Sequence, residues 1–425
     1  MVFILLDEAH LWGVLLIRAL SSWGVPVRLV RAHELARGLL EAEPPAALAV
    51  PGGFASRKAA CLGNAGLEAI RAYVNRGGAY LGICGGAGLG LTAPGGLGLC
   101  PWTRAPFEHR LQHFASGNVS LLPVDGPFTP AGVAGSGRRP LAPVWWPAAF
   151  RPQDGDVQVV AAYGQPGPGF MMADIPLSMV PVEALDDWEA LYGVRLAPAF
   201  SLGDPCIVAG RFGQGRYVLS HAHLETPGAP EANAWLAHIL AKLTGLHVAF
   251  REAPGWAIGQ GRAAKPGWDD PGLKRAMDLM LGAVDLGISH GLLNWREPWL
   301  LGWRQGLPGA QLSGILAMLD QTLRLDPTPE CLKFFDRRRQ EFSRTMELLA
   351  TGLSGYLLAE RLALTLSRVD PEAVPERGLR EARLNLFGPP PGAGGSSGGL
   401  CGRVLGVLEE CIALTGKEGI SAWQY

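Results

Sequence analysis

The chain of 425 residues carries 37 basic and 38 acidic residues, so its formal net charge is −1 at pH 7. With 48% hydrophobic and 18% charged residues it can form packed cores, and at about 100–200 residues per domain its length predicts two of them. The near-neutral charge argues against a nucleic-acid partner, and the lack of any apolar run of about 18 residues argues against a membrane span, so we expect a cytoplasmic protein.

Short β-rich runs alternate with helix-like stretches over the first 90 residues. This alternation is typical of a parallel sheet covered by helices, and it predicts a doubly wound, mostly parallel α/β fold of the flavodoxin type. The predicted strands cover residues 3–6, 27–30, 47–50 and 79–83. The helices between them cover residues 10–23 and 33–40 and a segment around 67–74.

The periodicity fades between residues 94 and 205, where we predict only short strands at 119–122 and 157–162. Strands at 206–209 and 217–220 and a helix at 230–243 close a first domain of residues 1–248. After residue 249 the strand signals largely stop, and a helical C-terminal domain of residues 249–425 is predicted. A flexible Gly/Pro/Ser link at 388–399 precedes its last helix, at 404–414.

Two helices of this second domain have a clear pattern. One covers residues 312–323, with apolar side chains at a 3.6-residue period. The next begins after Thr328, a predicted N-cap, with Pro329 in its first turn. Its predicted buried stripe consists of Leu332, Phe335, Phe342, Met346, Leu349 and Leu353.

Cys84 follows the fourth predicted strand and precedes a helix, within the sequence Gly82-Ile83-Cys84-Gly85-Gly86. This strand, turn and helix form the setting of a nucleophile elbow, in which side chains at Gly82 or Gly86 would collide with the tight backbone. The start of a helix also lowers the pKa of a thiol. The alternative is a buried structural cysteine in a glycine-rich strand exit.

A glycine turn, Gly52 and Gly53, ends the third predicted strand, which neighbours the fourth in a doubly wound sheet. Backbone N–H groups at this turn would face the same crevice as Cys84. The N–H groups of Gly53 and Gly85 are therefore candidates for an oxyanion hole that binds a tetrahedral intermediate.

His223-Leu224-Glu225 directly follows the late strand at 217–220. A thiol nucleophile requires an imidazole to accept its proton, and the imidazole requires a carboxylate to fix its orientation. His221 lies two residues earlier, on the same face of an extended strand, and is the competing base. The sequence thus predicts a Cys84, His223 and Glu225 triad.

Residues 1 to about 245 resemble the class I glutamine amidotransferase-like superfamily, and within it the N-terminal domain of eukaryotic-type biotin-protein ligases. The likeness lies in residues 51–53, 70–87 and 207–225. It implies that Cys84 attacks an amide or related acyl carbon, that His223 is the general base and acid, and that Glu225 orients it. In this superfamily a glutamine commonly stands four residues after the nucleophile. Gly88 occupies that place here, so another small-molecule or peptide acyl substrate is equally open.

These observations predict a thiol-dependent amidohydrolase or amidotransferase. The alternative is a catalytically silent binding or regulatory module, with a protein partner on its helical C-terminal region. Gly259-Gln260-Gly261-Arg262 resembles the biotinyl-adenylate loop of ligases, but its helical, proline-broken context predicts no ligase activity. The seven scattered cysteines form no C-x-x-C pair and indicate neither a disulfide framework nor a zinc site. We expect no metal and no cofactor.

Overall fold

The computed structural model describes residues 1–105, 115–133, 135, 137, 139–172, 174–192, 202–258, 267–303, 309–389 and 398–417. The chain divides into two compact units, Met1–Pro254 and Gly255–Glu418.

The strands of the first unit alternate with helices at the start of the chain and follow one another directly in its middle part. They are β1 Val2–Leu5, β2 Val27–Val30, β3 Ala47–Val50, β4 Ala79–Ile83, β5 Thr103–Arg104, β6 Ala115–Pro123, β7 Leu141–Trp145, β8 Phe150–Arg151, β9 Val157–Pro166, β10 Met171–Met172, β11 Ile175–Pro176, β12 Pro205–Phe212 and β13 Gly215–Ser220. The helices are α1 His10–Ser22, α2 Ala32–Ala36, α3 Leu39–Ala42, α4 Ala55–Asn75, α5 Gly85–Gly90, α6 Val182–Tyr192 and α7 Pro230–Thr244, with a 3₁₀ turn at Leu177–Met179.

One large sheet organises the first unit. Its strand order is β11-β10-β6-β9-β12-β13-β4-β3-β1-β2, and β7 pairs with β6. At one end of this order, β13, β4, β3, β1 and β2 are parallel to one another. At the other end, each strand from β13 through β12, β9, β6 and β10 to β11 is antiparallel to its neighbour. β5 and β8 form a separate two-stranded sheet. The predicted doubly wound α/β fold is confirmed.

Helices cover both faces of the parallel half. Phe3 and Leu5 of β1 belong to a core cluster with Ile70 of α4. Val2 and Ile4 alternate with them and therefore point to the opposite face, yet both are fully buried. On that face α1 packs against β1 and β2, and α7 packs against β13. Burial on both faces explains why these strands are continuous apolar runs in the sequence.

The single helix predicted at residues 33–40 is wrong, because the segment forms two short helices, α2 and α3. Gly38 separates them with φ 92°, a left-handed backbone conformation that a right-handed helix cannot continue through.

The second unit is mainly helical. Its elements are α8 Pro271–Ser289, β14 Leu293–Glu297, β15 Leu300–Trp303, α9 Gly309–Leu323, α10 Pro329–Val369, α11 Glu376–Phe387 and α12 Gly399–Gly416, with a 3₁₀ turn at Pro371–Ala373. Helix α10 packs against α8, α11 and α12. The predicted N-cap is present, since the Cys331 N–H donates to Thr328 Oγ1 at 3.2 Å. No helix in the described ranges is long and apolar enough to cross a membrane.

The sequence did not predict the β14–β15 hairpin, which interrupts the helical pattern. Pro298 lies between the two strands, and a register shift separates Trp295 from Glu297, so neither strand shows a simple alternation. Trp299 is buried, and its ring stacks on that of Trp256 with centroids 5.8 Å apart.

Leu332 does not belong to the buried stripe of α10, where it was predicted. Its side chain is 38% exposed, whereas Cys331 is fully buried. Cys331 lies four residues before Phe335, on the same side of the helix, and so occupies the place assigned to Leu332. Most of the predicted link, residues 390–397, lies outside the described residues, as do Gly259 to Arg262.

Candidate active site

Three parallel strands end side by side at the candidate site. β4 lies between β3 and β13, with Gly82 paired to Val50 and Ile83 paired to Ser220. Because neighbouring parallel strands end at the same edge of a sheet, the residues that follow them meet there. These are Cys84 after β4, the Gly52 turn after β3, and residues 221–225 after β13.

Cys84 occupies a strained turn between β4 and α5. Its backbone has φ 50° and ψ −104°, a conformation with positive φ that side chains other than glycine rarely adopt. The Cys84 N–H donates a hydrogen bond to the Ser220 carbonyl oxygen at 2.6 Å, which ties the turn to β13. The residue as a whole remains partly exposed.

The predicted glycines pack backbone against backbone around this turn. A Cβ atom on Gly85 would collide with the carbonyl oxygen of Gly53, and one on Gly86 would collide with that of Val50. A Cβ atom on Gly82 would lie 2.5 Å from the Gly86 oxygen. The structure therefore brings the two candidate oxyanion residues into direct contact. A larger residue at these positions would push the strand ends apart.

His223 and Glu225 form a buried pair with no exposed surface. His223 Nδ1 lies 2.7 Å from Glu225 Oε1, and because a carboxylate only accepts, Nδ1 carries the donated hydrogen. The indole ring of Trp12 lies against the His223 ring, with centroids 4.5 Å apart. A Cβ atom on Gly52 would come within 2.9 Å of His223 Cε1, so the glycine turn is also in contact with the imidazole.

Asn233 on α7 fixes the loop that carries this pair. Its Nδ2 group donates to the carbonyl oxygens of Leu224, at 2.8 Å, and Thr226, at 3.0 Å. Its Oδ1 accepts from the Ala253 N–H at 2.9 Å. Asn233 was not identified from the sequence, although an amide on the otherwise apolar buried face of α7 was a usable signal.

The thiol and the imidazole shift each other's pKa in opposite directions. Burial and the charge of Glu225 raise the pKa of the Cys84 thiol, but the positive charge of His223 lowers it, so that the net pKa lies below the usual value. For His223, burial lowers the pKa, but the charges of Glu225 and Cys84 raise it to about 10. The face of Trp12 further favours a cationic ring. This environment favours a thiolate beside an imidazolium.

His221 lies in a different environment. Its ring packs against Phe150 with centroids 4.3 Å apart, and only 4% of the residue is exposed. Burial, followed by the positive charges of Arg104 and His223, lowers the pKa of His221 to about 3. Its Nε2 atom makes no hydrogen bond to any described residue. This imidazole is therefore neutral near pH 7.

Trp12 and Arg104, which reach the site from α1 and β5, were not identified from the sequence either. In the part of the chain that the structure describes, no three His, Cys, Asp or Glu side chains are grouped to hold a metal ion.

The sheet, with the cysteine turn at its carboxyl edge, forms a doubly wound α/β domain. Within it, residues 26–92 match the family described as biotin-protein ligase, N terminal, which confirms the resemblance. The matched segment contains Cys84, Gly85 and Gly86 but ends before His223. No curated protein matches the sequence.

Several solved structures are similar to part of the chain. PurLQS from Thermotoga maritima is 15% identical and covers 57% of this chain and 98% of its own, with a TM-score of 0.37. A glutamine amidotransferase is 18% identical and covers 58% of this chain and 99% of its own, with a TM-score of 0.34. A cytoplasmic protein from Salmonella typhimurium is 14% identical, covering 57% and 98%, with a TM-score of 0.36. At such scores these likenesses say nothing about substrate or activity.

Proposed function

We propose that the first unit is a thiol-dependent amidohydrolase or amidotransferase that forms an acyl-enzyme at Cys84. The observation that carries this proposal is the buried His223–Glu225 pair at the same sheet edge as a cysteine with φ 50°. A structural cysteine needs neither a strained backbone nor a neighbouring imidazole whose pKa is raised. Such features are typical of an activated nucleophile.

His223 is the proposed base, rather than His221. The neutral His221 ring packs against Phe150, and its pKa of about 3 makes it a poor proton acceptor near pH 7. His223 has a carboxylate partner that fixes its Nδ1–H tautomer, which leaves Nε2 for the thiol proton.

In the proposed reaction the Cys84 thiolate attacks the acyl carbon of an amide. The C–S bond forms, and the resulting oxyanion is held by the N–H groups of Gly53 and Gly85. The C–N bond then breaks, and the nitrogen leaves with the proton from His223. Water or an amine attacks the thioester, His223 accepts its proton, and the sulfur leaves as thiolate.

The electrophile is not fixed as glutamine. Gly88 stands where the superfamily commonly has a glutamine side chain, and a Cβ atom there would meet only the Cβ of Ala55, at 3.4 Å. A different amide, a thioester or a peptide acyl group suits the same chemistry. The proposed activity does not include biotin ligation.

A silent binding or regulatory module is the second candidate. It is favoured by exposed leucines on α10, including Leu348 at 53% and Leu362 at 56% exposure, which a protein partner would cover. If this candidate is correct, the Cys84→Ala variant keeps the biological phenotype of the chain. If the enzyme proposal is correct, the phenotype is lost while the protein stays folded.

The chemical test uses intact-mass spectrometry after incubation with a panel of acyl donors, together with iodoacetamide labelling of all seven cysteines. We expect an acyl adduct on Cys84 and faster alkylation of Cys84 than of the partly exposed Cys61 near pH 7. Equal alkylation of Cys84 and Cys61 would contradict the activated thiolate.

A further inference from the structure

We propose that Arg104 and His221 form an anion subsite beside Cys84, so that the preferred acyl donor carries a carboxylate near its scissile carbonyl. This inference rests on the proposed acyl transfer at Cys84 and adds the substrate class to it.

The backbone places Arg104 next to His221. β5 pairs with β8 so that Arg104 lies opposite Phe150, and the Ala105 N–H donates to the Ala149 oxygen at 2.9 Å. Phe150 in turn packs on the His221 ring at 4.3 Å. The short sheet therefore connects Arg104, through one aromatic residue, to the segment that carries His223.

The charge of Arg104 acts on the groups of the site. It lowers the pKa of His221, second only to burial. Burial lowers the pKa of Arg104 itself, and the charges of Cys84 and Tyr163 act in the opposite direction. The guanidinium is thus close enough to Cys84 to interact with the charge of its thiolate.

Arg104 has no carboxylate partner among the described residues, unlike Arg31 with Asp7 and Arg324 with Asp320. Although its guanidinium is partly desolvated, much of the residue surface remains exposed, so a ligand can reach it. A guanidinium offers two parallel N–H groups that match the geometry of a carboxylate. A partly desolvated and unpaired arginine beside a nucleophile is therefore suited to bind an anionic substrate group.

His221 supplies an independent observation. Its Nε2 atom is buried and has no hydrogen-bond partner among the described residues, an arrangement that costs free energy until a ligand satisfies it. A neutral imidazole can donate to a carboxylate through one nitrogen, and its low affinity for protons keeps it neutral beside Arg104. Both groups thus favour the same kind of ligand.

The test compares two alkylating probes of Cys84 that differ in charge, anionic iodoacetate and neutral iodoacetamide. Both react with the same thiolate, so the ratio of their rates is independent of the fraction of thiol that is ionised. We expect Arg104→Gln to lower the iodoacetate-to-iodoacetamide ratio about fivefold, as one lost charge contact would. In Arg104→Lys the iodoacetate-to-iodoacetamide ratio should lie between those of the wild type and Arg104→Gln. Added salt should lower the wild-type ratio.

Arg151→Gln is the matched control, because Arg151 is an exposed arginine of the same two-stranded sheet, paired with Thr103. It should leave the ratio unchanged. A second measurement uses glutaryl and valeryl thioesters of one thiol, for which Arg104→Gln should slow acylation of Cys84 by the glutaryl donor only.

The outcomes separate the two proposals. If Arg104→Gln slows both reagents equally, Arg104 only stabilises the thiolate and the anion subsite is wrong. An unchanged ratio also overturns the subsite, even when iodoacetamide still labels Cys84 fastest. If wild-type Cys84 has no enhanced reactivity towards iodoacetamide, the acyl-enzyme proposal itself fails.

Discussion

The environments of His221 and His223 differ sharply, although the two residues follow the same strand and both are almost completely buried. Around His223 the nearest charges are those of Glu225 and Cys84, and they raise its pKa to about 10. Around His221 the nearest charges are those of Arg104 and His223, and they add to burial in lowering its pKa to about 3. The two rings are buried to a similar extent but differ in protonation state near pH 7, because the sign of the neighbouring charges determines the direction in which each pKa shifts.

This difference has a chemical meaning. In the proposed reaction the cationic ring holds the thiolate and delivers a proton, whereas the neutral ring only accepts or donates a hydrogen bond. The two imidazoles can therefore perform different tasks within one crevice, and changing each of them separately tests whether they do.

The largest expected effect separates the two histidines by reactivity. In His223→Gln the imidazolium that lowers the pKa of the Cys84 thiol is lost, so that this pKa rises. We expect the rate of Cys84 alkylation by iodoacetamide at about pH 6 to fall about 100-fold, as the thiolate fraction falls. His221→Gln, the matched control, should change the rate less than about threefold. Equal losses in both variants would remove the distinction between the two rings.

Because His223→Gln leaves the buried Glu225 without its partner, folding must be checked. The double variant His223→Gln/Glu225→Gln removes the unpaired charge. It should melt closer to the wild-type temperature while showing the same loss of alkylation.

The second prediction concerns stability and pH. Unfolded His221 binds a proton near pH 6.5, but in the folded protein it does so only near pH 3, so stability falls as the pH falls below 6.5. Between about pH 7 and pH 5 this single group should cost about 2 kcal/mol of the free energy of unfolding. Over the same pH range, the loss of unfolding free energy should therefore be about 2 kcal/mol smaller in His221→Gln than in the wild type.

The difference in unfolding free energy is measured by urea unfolding of the full chain at each pH. Unfolding is monitored by the alkylation of Cys206, a fully buried thiol of the first unit. Equal acid sensitivity of wild type and His221→Gln would show that His221 takes up its proton normally in the folded protein.

The smallest expected effect concerns Glu225. Its charge is the largest influence that raises the pKa of His223, and the neutral amide in Glu225→Gln removes that charge. Because the Glu225 charge also raises the pKa of the Cys84 thiol, its removal partly offsets the loss of imidazolium. We therefore expect alkylation of Cys84 at about pH 6 to fall only about threefold. Glu231→Gln removes an exposed carboxylate from the same unit and should have no effect. An unchanged rate in Glu225→Gln would mean that Cys84 and His223 form their ion pair without it.

The parallel half of the sheet could be predicted almost residue by residue. β2, β3 and β4 have the predicted bounds, because Pro26, Pro51 and Gly78 mark their ends and both faces are apolar. In the antiparallel half, the predicted strands 119–122, 157–162 and 206–209 lie within β6, β9 and β12 but are too short, and β7, β10 and β11 were missed. This part of the chain is rich in glycine and proline, and register shifts break the alternation of its strands. The β14–β15 hairpin was missed for a similar reason.

The candidate site divides in the same way. Cys84, the glycines and the His223 segment were identified because each is a short motif at the end of a predicted strand. Trp12, Arg104 and Asn233 reach the site from other elements, and their contacts depend on strand order and register. A single sequence does not contain that information in any local pattern.

The pairing of β4 with β13 also has a consequence for the order of folding. The cysteine turn is complete in sequence once β4 and α5 have been synthesised, but its neighbouring strand, Gly215–Ser220, leaves the ribosome much later. Until then β4 is an open edge of a parallel sheet, free to pair with other chains. We expect nascent chains and truncated fragments that end before residue 215 to depend on chaperones or to aggregate. The reactive thiol would thus emerge only when the last parallel strand closes this edge.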